Sequence, residues 1–189
     1  MVLSALLASY STPATSAEAL LRGFSRTGER EYLAKLIAQC GDDLYYFLLK
    51  QSDAKMAEDI CQQSWLKVME MHHSFQGRSS FKTWLFTIAR HCLLDELRRQ
   101  QRWQAIASED ELVAVDDLLA KISQQQQQLA FEEQLKLLPF AQREALILQL
   151  EGFSLAEIAQ ITAQPDETIK SRLRYARQFL QQFCGGNHD

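Results

Sequence analysis

Apolar residues recur at three- and four-residue spacings along most of this 189-residue chain, and one stretch without that period divides it in two. In the first part Leu33, Leu36, Ile37, Leu44, Phe47 and Leu48 follow the spacing, as one face of an amphipathic helix requires. A second helix is predicted from near Met56 to about His73, with Ser52 or Asp53 placed to cap it. Gly77 interrupts the pattern, and a third helix runs from near Ser80 to about Arg102. Strand-like alternation is missing, and only seven Gly and three Pro punctuate the chain. The predicted fold class is all-α.

The break between the parts is polar and acidic. Glu109, Asp110, Glu111, Asp116 and Asp117 come without one basic residue among them, and residues 124–128 are all Gln. Such composition buries little apolar surface, so residues 103–128 are predicted to form a flexible linker. It would join a helical domain at 25–102 to a second at 129–184. The apolar start of the chain has no Lys or Arg before Arg22, unlike a signal peptide with its positive leading region. Residues 1–24 therefore read as a mobile tail with some helix from Ala17, and residues 185–189 as a C-terminal tail. No apolar run approaches the roughly 18 residues of a membrane span.

Composition narrows the chemistry. Cys40, Cys61, Cys92 and Cys184 are widely separated and form no CxxC pair, which argues against a zinc site or a disulfide scaffold and for a reducing cytoplasm. His72 and His73 lie beside Glu70, but neighbouring residues on a helix face different ways and lack the i, i+4 spacing of a metal pair. No cofactor, metal or catalytic residue is predicted.

The second part carries a pattern with physical content. Ser154 followed by Glu157 is a capping box at the head of a helix whose apolar face holds Leu155, Ile158, Ala159 and Ile161. A short turn at Ala163, Gln164 and Pro165 follows, and then Asp166 and Glu167 at the positive end of the next helix dipole. Ile169 and Leu173 point back at the first helix, leaving Thr168, Lys170, Ser171, Arg172, Arg174, Tyr175 and Arg177 outward. This is a helix-turn-helix, whose second helix enters the major groove of DNA. Cations gathered there, in a chain of net charge −4, suit phosphates and guanine edges.

In the first part Ala57, Ile60, Cys61, Ser64, Val68 and Met71 form a stripe to be buried, while Asp59, Gln62, Gln63 and Leu66 lie on another side. With Trp65 nearby, that polar side suits a protein contact. From Arg78 to Trp103, Arg78, Lys82, Arg90, Arg98, Arg99 and Arg102 outnumber Asp95 and Glu96 and alternate with Phe81, Trp84 and Phe86. Most of those rings are expected in the core. The loop at Gly77–Ser80 and the exposed basic face suit single-stranded nucleic acid, where cations track phosphates and rings accept unstacked bases.

With both parts read, residues 28–183 resemble a sigma factor of bacterial RNA polymerase, of the small extracytoplasmic-function type. The stretch AEDICQQSW resembles the polymerase-binding helix of region 2, FQGRSSFKTWLFTIARHCLLDELRR its promoter-melting segment, and the run from Leu138 to Arg177 region 4. The resemblance implies that Asp59, Gln62, Gln63 and Trp65 bind the β′ clamp helices of core polymerase. It assigns Arg78, Ser79, Ser80, Lys82, Trp84, Arg90, His91, Arg98 and Arg99 to the minus-10 element, melted and held as a single strand. Glu167, Thr168, Lys170, Ser171, Arg172, Arg174, Tyr175 and Arg177 would read the minus-35 duplex, with the rest of region 4 on the β flap. An anti-sigma factor is an implied partner, and a membrane-bound one would hold the chain at the inner membrane. Gln63 stands where the family usually has Glu, His91 where Asn is common, Tyr175 where Arg is frequent, and Glu167 and Ala163 where Gly is frequent. Ala163 is also a position expected to need a positive φ, at a cost of about 1 kcal/mol. The alternative reading is a helix-turn-helix regulator that acts on duplex DNA without serving as a polymerase subunit.

Overall fold

The computed structural model describes residues 15–107, 131 and 133–184. Among them there is no strand, and helices follow one another in two blocks. The first block contains α1 (Ala17–Thr27), α2 (Arg30–Leu49), α3 (Ala54–Met71), a 3-10 turn (His72–Ser74) and α4 (Phe81–Ala107). The second contains a short helical stretch at 133–137, then α5 (Phe140–Leu150), α6 (Leu155–Thr162) and α7 (Asp166–Cys184).

Helix α1 starts at Ala17, where helix was expected, but it is docked on the first block rather than part of a mobile tail. Ser16 Oγ accepts from the Ala19 N–H at 3.2 Å to start it, and Gly28, at φ 71°, closes it with a 2.8 Å bond from its N–H to the Phe24 carbonyl. Leu20, Leu21 and Phe24 are buried, so residues 17–24 belong to the first block. Gly23 lets α1 lie directly on Tyr32 of α2, because a Cβ there would come within 2.5 Å of the ring. Glu18 reaches further and accepts the Phe81 N–H at 2.9 Å, capping α4 from 63 residues away. That N–H holds the Glu18 carboxyl below the ordinary glutamate range. The predicted residues 1–14 and 185–189 lie outside the described residues.

The other helices begin and end for local reasons. Asp53, rather than Ser52, caps α3 by accepting the Met56 N–H at 2.9 Å, and Ser80 Oγ accepts the Thr83 N–H at 3.1 Å at the head of α4. Helix α4 buries Phe81, Leu85, Phe86, Ile88, Ala89, Cys92 and Leu93, an apolar face at helical spacing. It continues past the predicted end at Arg102 to Ala107, and the remainder of the predicted acidic linker lies outside the described residues. Phe47, Phe81 and Phe86 are fully buried, and each side chain of that kind contributes about 1.5–3 kcal/mol by leaving water. Two residues read as core are not in it: Ile37 is 41% exposed and Met71 45%.

Candidate nucleic-acid interface

The helix-turn-helix forms as its sequence predicts. Ser154 and Glu157 make the reciprocal capping box on α6, with 2.9 Å from the Ser154 N–H to Glu157 Oε2. Ala163 ends α6 at φ 52°, ψ 46°, the left-handed conformation, and is the one non-glycine residue of positive φ among the described residues. The Gln164 N–H bonds the Ala159 carbonyl at 3.0 Å and the Ala163 N–H that of Gln160 at 3.3 Å, a Schellman closure. Ile169, Leu173 and Ala176 of α7 are buried against α5 and α6.

This leaves the predicted reading surface on the outside of α7. Glu167, Lys170, Arg174, Tyr175 and Arg177 are exposed, while Thr168, Ser171 and Arg172 are half-buried. Lys170 pairs with Glu167 at 2.6 Å, which raises the Lys170 ammonium pKa. Arg172 donates to Gln164 Oε1 at 3.4 Å and Arg177 to Gln149 Oε1 at 2.6 Å, so two cations are steered by neutral amides. Arg174 lies 5.1 Å from the centre of the Tyr175 ring. None of these contacts cancels the positive charge of the three arginines.

In the first block the polar side of α3 is free. Asp59, Gln62 and Gln63 are exposed, joined by Leu66 at 57% and Met69 at 39%. Trp65 departs from its predicted place on that surface. It is 8% exposed and packs against Phe81 at 6.3 Å between ring centres. Its position one step from Gln63 and Leu66 turns it inward, where it supports the helix from beneath. Among the described residues its buried indole N–H meets no oxygen or nitrogen acceptor, and the side chain bonds the Cys61 thiol instead.

The predicted melting segment is divided. Arg78, Ser80, His91, Arg98 and Arg99 are exposed, and Ser79 is half-buried. Arg98 pairs with Asp95 at 3.2 Å and Arg99 with Glu96 at 2.7 Å. Trp84 is half-buried, its ring 5.3 Å from Phe75 and 6.1 Å from Phe81, beside the loop that carries Gly77 at φ 69°. Lys82 and Arg90, expected on an exposed basic face, are instead engaged: Arg90 by the second block, and Lys82 by Asp43 of the first block together with a carbonyl of the second.

That engagement is a seam along one side of α4. Arg90 forks onto Glu144 of α5, Nε to Oε1 at 2.7 Å and Nη2 to Oε2 at 3.2 Å, with Glu144 fully buried. Thr83 Oγ1 donates to Glu157 Oε1 at 3.0 Å. Lys82 reaches Asp43 at 2.7 Å and the Glu151 carbonyl at 3.2 Å, and its ammonium lies 5.3 Å from the centre of the Phe153 ring. Phe153 meets Phe86 edge-on at 4.8 Å. The Glu157 carboxyl, held low first by the Ser154 N–H and hydroxyl and then by Thr83, thus both caps α6 and ties the blocks together. Glu144 escaped the sequence reading. Its signal was a lone acid at helical spacing from the buried Ile147 and Leu148, which in a buried place requires a partner.

His72 and His73 do not diverge as neighbouring helical residues should, since the 3-10 turn brings their ring centres within 3.7 Å. Cys40, Cys61 and Cys92 are free thiols, and burial pushes the Cys40 and Cys61 thiols up. Among the described residues no cluster of His, Cys, Asp or Glu could hold a metal ion, and no helix is long and apolar enough to cross a membrane.

Two helical blocks, one with a capped basic-aromatic helix and one with an exposed helix-turn-helix, define a nucleic-acid-binding protein of two modules. Residues 36–103 match Sigma-70 region 2 and residues 128–180 match Sigma-70, region 4. The chain is 30% identical over 141 residues to the ECF RNA polymerase sigma factor SigX of Bacillus subtilis, covering 68% of this chain and 71% of that one. It is 32% identical over 162 residues to the ECF RNA polymerase sigma factor SigC of Mycobacterium tuberculosis, covering 81% and 83%. Among solved structures it is similar to the sigma factor RpoE in complex with the anti-sigma factor NepR from Bartonella quintana. That likeness has a TM-score of 0.67 and 29% identity, and it covers 85% of this chain and all of that one. The chain belongs to the sigma-70 family, as a sigma factor of the extracytoplasmic-function type. It is an alternative initiation factor that directs RNA polymerase to promoter DNA, and its family acts without catalysis of its own.

Proposed function

We infer that the two blocks divide promoter recognition between them and that the exposed outer side of α7 reads the minus-35 duplex. The observation that carries this is the accessibility of Lys170, Arg174, Tyr175 and Arg177 on a helix held by the capping box and Schellman turn. Arg172 and Arg174 make the base-edge contacts, and Lys170 and Arg177 hold phosphates, with Thr168, Ser171 and Glu167 at the groove entrance. In the first block Asp59, Gln62 and Gln63 contact the polymerase clamp, with Leu66 as the apolar centre of the patch and Trp65 as its buried support. Arg78, Ser79, Ser80 and His91 guide the displaced minus-10 strand, and Arg98 and Arg99 follow its phosphates. The half-exposed Trp84 and Phe75 rings border the place of an extruded base. Extrusion costs a few kcal/mol, which stacking and phosphate contacts return.

The chain itself performs no chemistry in this reading, since bond formation belongs to the polymerase. It works in the cytoplasm, and an anti-sigma factor restrains it, as one accompanies the similar sigma factor of Bartonella quintana. The test is transcription by bacterial core polymerase on genomic DNA fragments with and without the chain. Initiation at discrete new sites is the expected result. Arg172→Ala and Tyr175→Ala then alter use of the upstream element, whereas Arg78→Ala and His91→Ala alter opening. Failure to bind core polymerase would favour a regulator that acts on duplex DNA alone.

A further inference from the structure

We propose that helix α1 is a brace for the loop that holds the extruded base, with Glu18 as a positioning residue for promoter opening. This rests on the assignment of the loop before α4, and of Trp84, to the minus-10 strand. Helix α1 grips that loop on both flanks. On the near flank the buried Phe24 meets the His72 ring edge-on at 5.0 Å, and His72 Nδ1 donates to the Met69 carbonyl at 2.7 Å. The 3-10 turn that leads into the loop is thereby pinned. On the far flank Glu18 Oε1 accepts the Phe81 N–H at 2.9 Å, where the loop becomes α4. Residues 75–80 lie between the two holds, with Gly77 turning at φ 69° and Arg78 exposed.

The start of a helix explains why an acid from elsewhere is needed. Its first N–H groups have no acceptor within the helix. Ser80 serves the Thr83 N–H at 3.1 Å and lies 2.8 Å from the Thr83 hydroxyl. A residue in that capping place reaches the second or third N–H. The Phe81 N–H is the first, and Glu18 is its acceptor, with a charge that also complements the positive end of the α4 dipole. Glu18 is not needed to seat its own helix. Buried Leu20 and Leu21, and the close approach of Gly23 to Tyr32, fix α1 in the first block. Phe81, held by its N–H, sets its ring 6.4 Å from Phe75 and 6.1 Å from Trp84, the two rings that border the base. A loop fixed at both ends loses less conformational freedom when the strand arrives, so more of the contact energy is left for extrusion.

The test uses holoenzyme assembled from bacterial core polymerase and the full chain, on a promoter that the wild type initiates, with 2-aminopurine in the minus-10 element to report extrusion. Glu18→Ala removes the acceptor. It is expected to lower the open-complex equilibrium by about fivefold, the effect of losing a helix cap. Affinity for core polymerase and for a minus-35 duplex should stay within about twofold, since those surfaces share no partner with Glu18. Glu18→Gln keeps a neutral acceptor at the same reach and should restore most of the opening. Glu18→Asp keeps the charge on a shorter arm and should open as poorly as Glu18→Ala. Rescue by Gln but not by Asp is the signature of a brace. Equal loss of core-polymerase binding in all three would make Glu18 structural only and overturn the proposal. Opening by Glu18→Ala as good as wild type refutes it too. Better opening would mean that a phosphate takes the freed N-terminus of α4 and that Glu18 is a barrier, which refutes the brace as well. Should circular dichroism show that Glu18→Ala does not fold, Glu18→Gln against Glu18→Asp decides, and equal opening by the two counts against the brace. The wild type separates this idea from the reading beneath it. If it extrudes the base and starts RNA while the variants match it, the brace fails and the promoter reading stands. If it starts no RNA at all, the promoter reading fails and the brace falls with it.

Discussion

Helices α4 and α7 are both basic and both face nucleic acid in this account, yet they sit in opposite surroundings. Among its described residues helix α7 buries Ile169, Leu173 and Ala176, half-buries Phe179 and Leu180, and leaves most of its cations to solvent or to amides. Helix α4 buries a full apolar face in the first block and lends its flank, with Lys82, Thr83 and Arg90, to the second. A duplex reader needs only a rigid helix presented outward. A melting helix has to be part of a core that holds a displaced strand, and here that same flank is the one the second block covers.

The largest effect that sharpens this contrast comes from Phe86, which joins Phe47 in the first core at 5.1 Å and Phe153 across the seam at 4.8 Å. Phe86→Ala is expected to cost about 3–5 kcal/mol in urea unfolding and to loosen the contact between blocks. Acid comes next. Glu18 and Glu157 are both held below the ordinary glutamate value by hydrogen bonds to their charged forms. Each therefore contributes stability that is present above the unfolded pKa of about 4.3 and is lost as pH falls through the lower folded value. The urea midpoint should drop as pH goes from about 5 to about 3, and less so in a Glu18→Gln, Glu157→Gln double variant. An unchanged slope in that variant would place the acid sensitivity elsewhere.

Smaller effects belong to α7 and its turn. Ala163→Gly relieves the left-handed strain and should stabilise the second block by about 1 kcal/mol in thermal unfolding. A loss of stability instead would mean that the turn is not in that conformation. Tyr175→Ala, at a residue 51% exposed, should change stability by less than about 0.5 kcal/mol while altering upstream promoter choice. A large loss of stability would make Tyr175 structural and break the contrast with Phe86.

Much of the fold was legible because three- and four-residue spacing, Ser154 with Glu157, Asp53 and Ala163 act within a few residues of themselves. The fold class and the family followed from such local marks. What acts at a distance was not legible. Glu18 reads as an acid in a tail, since nothing local tells that it caps Phe81 across 63 residues. Trp65 follows the rule that aromatics mark interfaces, but core packing against Phe81 outweighs it. Lys82 and Arg90 read as free cations because their partners Asp43 and Glu144 lie 39 and 54 residues away along the chain, and Glu144 drew no reading because one acid in an amphipathic helix is ordinary.

The most direct test is the separation of the two blocks in the free chain and in complex with core polymerase. Fluorescence transfer between labels at Asp42 of α2 and Gln178 of α7, both exposed, reads it without touching the seam. The account predicts one short distance in the free chain and a longer one once polymerase is bound and initiates RNA. An equally short distance in an initiating complex would contradict it, because the melting helix would then be covered while it worked.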